Sequence, residues 1–268
     1  MQNEVTTPRP HRLGASLFSA PNPSISMMSA ADSHGALPAR WASAYNSRDT
    51  QVSIGIDTIH LAGHLTWPRD AQGLVVFAHG SGSSSQSPRN RYVSGILNSA
   101  GLGTLLFDLL TPGEESDRTN VFNIALLAQR LVAVTRWLRA QLEVPELHAA
   151  QIGYFGASTG AAAALCAAAE LGKEIAAVVS RGGRPDLAGH RLTEVTAPTL
   201  LIVGSYDDIV LELNREAHAQ MRCQSRLCIV PGATHLFDEP GTLEAVADLA
   251  RDWFLDHLPA AAQPAANG

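Results

Sequence analysis

Between residues 50 and 258 the hydrophobic positions fall into two alternating forms, short apolar runs and longer stretches with apolar residues three and four apart. Residues 52–56 and 58–66 read as an antiparallel strand pair. Next come a strand at 74–78, a helix at about 89–100 and a strand at 103–108. A long helix is predicted over 122–141, where Ile124, Leu127, Leu131, Val134 and Leu138 share one face. Strands at 151–155, 175–180, 199–204 and 226–230 follow, with helices at 159–171, about 210–221 and 242–257. Strands that are apolar throughout, separated by helices, predict an α/β protein with a mostly parallel twisted sheet covered on both faces. There is no internal repeat.

The ends differ. Residues 1–48 are rich in Pro, Ser, Ala and Asn and show neither periodicity, and 259–268 read PAAAQPAANG. Both are expected to be disordered extensions around one domain at 49–258. A secretory leader is not expected, because the apolar stretch at 13–28 is interrupted by Ser19, Pro21, Asn22 and Pro23. The chain carries 19 Lys+Arg against 25 Asp+Glu, and no long basic run, which argues against nucleic-acid binding. No apolar run approaches the roughly 18 residues of a membrane span. Cys166, Cys223 and Cys228 are too few and irregular for a disulfide framework or a zinc site. A soluble cytoplasmic protein is expected, its oligomeric state open.

Candidate chemistry begins at Gly156-Ala-Ser-Thr-Gly160, a G-x-S-x-G segment between a predicted strand and a predicted helix. A serine there stands on a tight turn that lifts its Oγ above the sheet edge, beside the free N–H groups of a helix N-terminus. Ser158 could instead simply cap the helix. Context separates the two readings. A serine hydrolase on this architecture needs its acid and then its histidine downstream. Asp207 follows the strand at 199–204, and His235 follows the strand at 226–230, so all three reach the same sheet edge. Asp208 competes with Asp207 and is assigned to capping the next helix. Asp238 and Glu239 read as residues at the entry to the last helix rather than as triad acids.

Upstream, the strand at 74–78 runs into His79-Gly-Ser-Gly82. An N–H of this loop, that of Ser81, could join that of Thr159 in holding an oxyanion. The loop lacks the Lys-Ser/Thr ending of a phosphate-binding loop, and His79 reads as its brace. Arg89, Arg91, Arg181 and Arg184 could approach the site and hold an anionic group, or serve as surface and helix-pairing residues. Only eighteen residues separate the strands ending at 180 and starting at 199, too few for a large lid.

With these segments the chain resembles the α/β-hydrolase superfamily, and within it the dienelactone-hydrolase-like group, over about residues 50–258. The resemblance is carried by FAHGSGSSSQSPRNRYV, TLLFDLLTPGEE, YFGASTGAAAAL, VSRGGRPDLAG and VPGATHLFDEPG. It implies the α/β-hydrolase fold and a serine hydrolase with Ser158 as nucleophile, Asp207 as acid and His235 as base. It implies no metal or organic cofactor, and a small-molecule ester as partner. One position departs from the pattern. True dienelactone hydrolases carry cysteine in G-x-C-x-G, and Ser158 points away from dienelactone as the substrate. Some members of the group are fused to a phosphoribosyltransferase domain, whose motifs this sequence lacks. An acyltransferase or perhydrolase would keep the same three residues, whereas a binding protein on this fold would be expected to have lost part of the set.

Overall fold

The computed structural model of the chain describes residues 47–141 and 145–258. The expected terminal extensions lie outside the described residues, except that Ser47 and Arg48 belong to the first strand. The strands are β1 (Ser47–Ile56), β2 (Ile59–Pro68), β3 (Gly73–Ala78), β4 (Gly103–Phe107), β5 (Gln151–Ala157), β6 (Ile175–Arg181), β7 (Thr199–Gly204) and β8 (Ser225–Val230). The helices are α1 (Pro88–Ser99), α2 (Pro112–Glu115), α3 (Ile124–Arg139), α4 (Pro145–Ala149), α5 (Thr159–Leu171), α6 (Asp208–Gln220) and α7 (Thr242–His257).

Among the described residues eight strands join one sheet in the order β1-β2-β4-β3-β5-β6-β7-β8. β1 pairs antiparallel with β2, and β2 with β4; the remaining neighbours are parallel. The continuous apolar run of β3 shows why the parallel strands carry no polar face. Leu74, Val76 and Ala78 pack into the core under α3 and α5, while Val75 and Phe77 pack into the one under α1 and α7. Each such buried Val, Leu or Phe contributes roughly 1.5–3 kcal/mol. One polar group crosses the first core in satisfied form. The Tyr154 hydroxyl and Thr135 Oγ1 are 2.5 Å apart, and Thr135 donates to the Leu131 carbonyl at 2.9 Å. Burial holds the Tyr154 phenol above its ordinary pKa.

Two short helices have no counterpart in the hydrophobic pattern. α2 is fixed by a reciprocal capping box, Thr111 Oγ1 accepting from the Glu114 amide and the Glu114 carboxylate accepting from the Thr111 amide. α4 spans a single turn and a half. The first hairpin is also longer than its apolar positions suggest, since Ser47–Gln51 is polar yet pairs in register against His64–Pro68. Between β6 and β7 the chain makes only 3-10 turns over Pro185–Glu194, bent at Gly189, and carries no large lid.

Candidate active site

Ser158 lies between β5 and α5 with φ 51° and ψ −123°, a region that costs a non-glycine residue of order 1–3 kcal/mol. Its neighbours hold it there. The Ser158 amide donates to the Arg181 carbonyl at 3.3 Å, and the Ser158 carbonyl accepts from the Ala161 and Arg184 amides, both at 3.1 Å. The flanking glycines have a steric reason: a Cβ on Gly156 would stand 2.4 Å from Ala161 Cα, and one on Gly160 would stand 2.2 Å from the Ala78 carbonyl oxygen. Ser158 occupies the position before the first helical residue, but its side chain does not cap. That removes the plain helix-capping explanation for this serine.

Asp207 and His235 are brought together. His235 Nδ1 donates to Asp207 Oδ2 at 2.6 Å, the aspartate being mostly buried and the imidazole half-buried. A carboxylate can only accept here, so in the neutral ring Nε2 is left as the acceptor. The expected division between the two aspartates is corrected in detail. Asp207 itself stands at the position before α6, yet its side chain makes no cap, and Asp208 is already the first helical residue and is exposed. The loops that carry the pair are tied to one another. The Tyr206 amide donates to the Ala233 carbonyl at 2.9 Å and the Gly232 amide to Ser205 Oγ at 2.8 Å. A Cβ on Gly204 would stand 2.3 Å from the Ala233 oxygen, so the two turns are in backbone contact.

Asp238 and Glu239 lie just ahead of α7, the Glu239 carbonyl accepting from the Thr242 amide and hydroxyl, but their carboxylates serve elsewhere. Glu239 accepts from the Thr234 hydroxyl at 2.6 Å and its amide at 3.1 Å, bonds that hold its carboxyl below the ordinary pKa and brace the turn around His235. Asp238 pairs with Arg89 at 3.1 Å.

Ser158 and His235 line a common cleft of about 740 Å³. Among the described residues Ser158 Oγ has no hydrogen-bond partner, a looseness usual in unliganded sites. The loop after β3 lines the same cleft, with Gly80 directly against Ser158. His79 braces it as expected, Nδ1 lying 3.0 Å from the Gly80 carbonyl while Nε2 accepts from the Leu109 amide at 3.1 Å. The Ser81 amide, however, is not open: it donates to Thr159 Oγ1 at 2.9 Å. Position in sequence could place the amide but not reveal its partner. The Thr159 amide, in the first turn of α5, has no acceptor within the helix.

The four arginines separate into two pairs. Arg89 and Arg181 line the cleft. Arg91 instead bonds Gln86, and Arg184 makes a two-pronged bond to Asp186, both contacts at 2.8 Å, which holds its pKa up. Neither Arg91 nor Arg184 lines the cleft, although Gln86, the partner of Arg91, does, and the Arg184 amide supports Ser158. Arg181 is 8% exposed, and its Nε and Nη1 have no hydrogen-bond partner. Burial, reinforced by the charge of Arg89 and opposed by Asp238, pushes its pKa down to about 10. The Phe237 ring, 6.0 Å away, is the contact over its plane. Among the described residues no cluster of three or more His, Cys, Asp or Glu could hold a metal ion, and no helix is long and apolar enough to cross a membrane.

The fold and this cleft define a hydrolase of the α/β class. No family model matches the chain, but individual proteins do. A dienelactone hydrolase from Anabaena variabilis ATCC 29413, known from its crystal structure, is 52% identical, covers 80% of this chain and 100% of its own, and superposes with a TM-score of 0.77. The chain belongs to that dienelactone-hydrolase-like family. A Mycobacterium tuberculosis protein provisionally named a phosphoribosyl transferase is 60% identical over 211 residues, 79% of this chain but 47% of the relative. The chain thus spans about half the length of the curated relatives it matches. Est1E from Butyrivibrio proteoclasticus, 19% identical over 77% of this chain and 98% of its own with a TM-score of 0.65, shares the fold.

Proposed function

We propose that the chain hydrolyses carboxylic esters through an acyl-enzyme on Ser158. The observation that carries this reading is the 2.6 Å bond from His235 to Asp207 beside a strained, uncapped serine in one cleft. In this mechanism His235 Nε2 takes the Ser158 proton as Oγ attacks the ester carbonyl, and Asp207 orients the imidazole and stabilises its charged form. The same proton passes to the leaving alcohol. Water, deprotonated by His235, then attacks the acyl group and releases the acid. The Thr159 amide is offered to the developing oxyanion, and the Ser81 amide can join it only by leaving its bond to Thr159 Oγ1. The absence of a large lid favours small or loosely recognised esters. The test is treatment with a fluorophosphonate followed by peptide mapping. One adduct on Ser158 is the expected result, and no adduct, or one elsewhere, overturns the reading.

Arg181 gives this reading a substrate preference. A guanidinium buried without an acceptor costs stability, and an anionic group on the ester would supply the acceptor. The lowering to about 10, well below the ordinary guanidinium value, corresponds to roughly 3 kcal/mol. The sign follows from the charged form being disfavoured in the folded state. The penalty is full below about pH 10 and fades as pH rises towards the ordinary guanidinium range of the unfolded chain. Arg181→Met is therefore expected to raise the melting temperature by several degrees, at about 2–4 °C per kcal/mol. It should also lower kcat/KM for a hemisuccinate ester about 10- to 100-fold relative to the matching neutral ester. Calorimetry and a paired ester assay check both; a lower melting point with unchanged ester preference would sink the assignment.

A further inference from the structure

The peptide joining Gly80 to Ser81 is engaged at both polar ends. Its carbonyl accepts from the Ser83 amide at 3.2 Å and faces His79 Nδ1 at 3.0 Å. Because the Leu109 amide donates to His79 Nε2, the neutral ring carries its proton on Nδ1 and gives it to that carbonyl. The N–H of the same peptide donates to Thr159 Oγ1 at 2.9 Å. This peptide lies against the serine, since a Cβ on Gly80 would stand 2.9 Å from Ser158 Cβ and 3.6 Å from its Oγ. Thr159 is 4% exposed, so its hydroxyl has no bulk water as an alternative partner.

We infer that the Thr159 hydroxyl is a built-in occupant of the oxyanion site, holding the Ser81 amide until the substrate oxygen displaces it. The inference rests on the serine-hydrolase reading above. An amide has one proton, and a 2.9 Å bond to a hydroxyl uses it. A neutral ester carbonyl is no better an acceptor than that hydroxyl, so it gains little by displacing it. A tetrahedral oxyanion is a charged acceptor and forms a bond roughly twice as strong. The cap therefore withholds one donor from the bound ester and releases it as negative charge develops, which favours the transition state over the substrate. Residue 159 acts twice on this view: its amide is a donor, and its side chain controls the second donor.

The test compares wild type, Thr159→Val and Thr159→Ser with p-nitrophenyl acetate and with phenylboronic acid, whose tetrahedral adduct on serine carries the oxyanion. Thr159→Val leaves the Ser81 amide without a partner. It is expected to bind the boronic acid about 3- to 10-fold tighter, lower KM for the ester, and melt at a lower temperature. Thr159→Ser keeps a hydroxyl and should bind the boronic acid more weakly than Thr159→Val. Weaker boronic acid binding by Thr159→Val would overturn the inference and make the hydroxyl a mere support, and equal binding would overturn it too. Thr159→Ala gives the same comparison if the valine variant does not fold. Wild type that takes neither fluorophosphonate nor boronic acid on Ser158 brings down both readings. Wild type that takes both, with no gain in the hydroxyl-free variants, brings down this one alone.

Discussion

Asp207→Asn is expected to lower kcat for p-nitrophenyl acetate by about 10⁴-fold, with a melting temperature close to that of wild type. In the proposed mechanism the carboxylate acts through its charge and its acceptor-only character. Its Oδ2 receives the His235 Nδ1 proton at 2.6 Å, which fixes the tautomer and leaves Nε2 facing the cleft. An asparagine amide fits the same volume but can present its NH₂ to the ring. That turns the proton onto Nε2, where it can no longer accept the serine proton. The imidazolium formed during attack also loses its counter-charge. Stability should change little, because the Asp207 side chain caps no helix and its backbone bonds to Gly204 and Leu211 survive the change. Asp208→Asn is the control. That residue lies in the first turn of α6 and is exposed, so removing its charge should cost only tenths of a kcal/mol of helix-dipole stabilisation. Steady-state kinetics of the two variants decide the matter. A larger loss in Asp208→Asn than in Asp207→Asn would reverse the assignment of the acid.

Order along the chain made this pair readable before any coordinates. In a parallel sheet every strand ends at the same edge, so residues just past the ends of β5, β7 and β8 must gather there. Ser158, Asp207 and His235 are such residues, and the apolar runs that locate those strands are continuous and unambiguous. The close approach that Gly156 and Gly160 permit belongs to the same architecture, since a strand-to-helix turn forces close backbone approach.

What stayed hidden depends on side-chain direction. Arg89, Arg91, Arg181 and Arg184 look equivalent in sequence, but which of them is neutralised depends on partners as distant as Asp238 and as near as Asp186. Glu239 reads in sequence as a helix-entry residue, a position it does hold, but nothing local shows that its carboxylate turns back to Thr234. The Ser81–Thr159 bond spans 78 positions and reverses the expected state of the amide. Local propensity has no access to such a contact. α2 was missed for a different reason: its Thr111-x-x-Glu114 box is a capping signal without a hydrophobic period behind it.

Gly160→Ala is expected to lower the melting temperature by about 10 °C and to remove most of the activity of the folded fraction. The added Cβ would stand 2.2 Å from the Ala78 oxygen and 2.5 Å from the His79 oxygen. Both are backbone atoms, at the end of a central strand and the start of the loop after it, so no side-chain rotation can relieve the clash. α5 must move away from β3, and overpacking of this kind costs at the upper end of about 1–3 kcal/mol or beyond. The same movement draws the Ser158 turn away from the Gly80–Ser81 peptide, so the geometry needed for attack and for oxyanion binding is lost along with stability. Gly172→Ala separates this effect from simple loss of a glycine. Gly172, at the far end of α5, has φ +55° and open space around its Cβ. Strain in this positive-φ conformation, the same as that of Ser158, should cost it about 1–3 kcal/mol, with activity retained. Thermal melts and ester assays on the two variants make the comparison. If Gly160→Ala melts within 2 °C of wild type, about the shift expected from 1 kcal/mol or less, the contact between α5 and the oxyanion loop is not what positions Ser158.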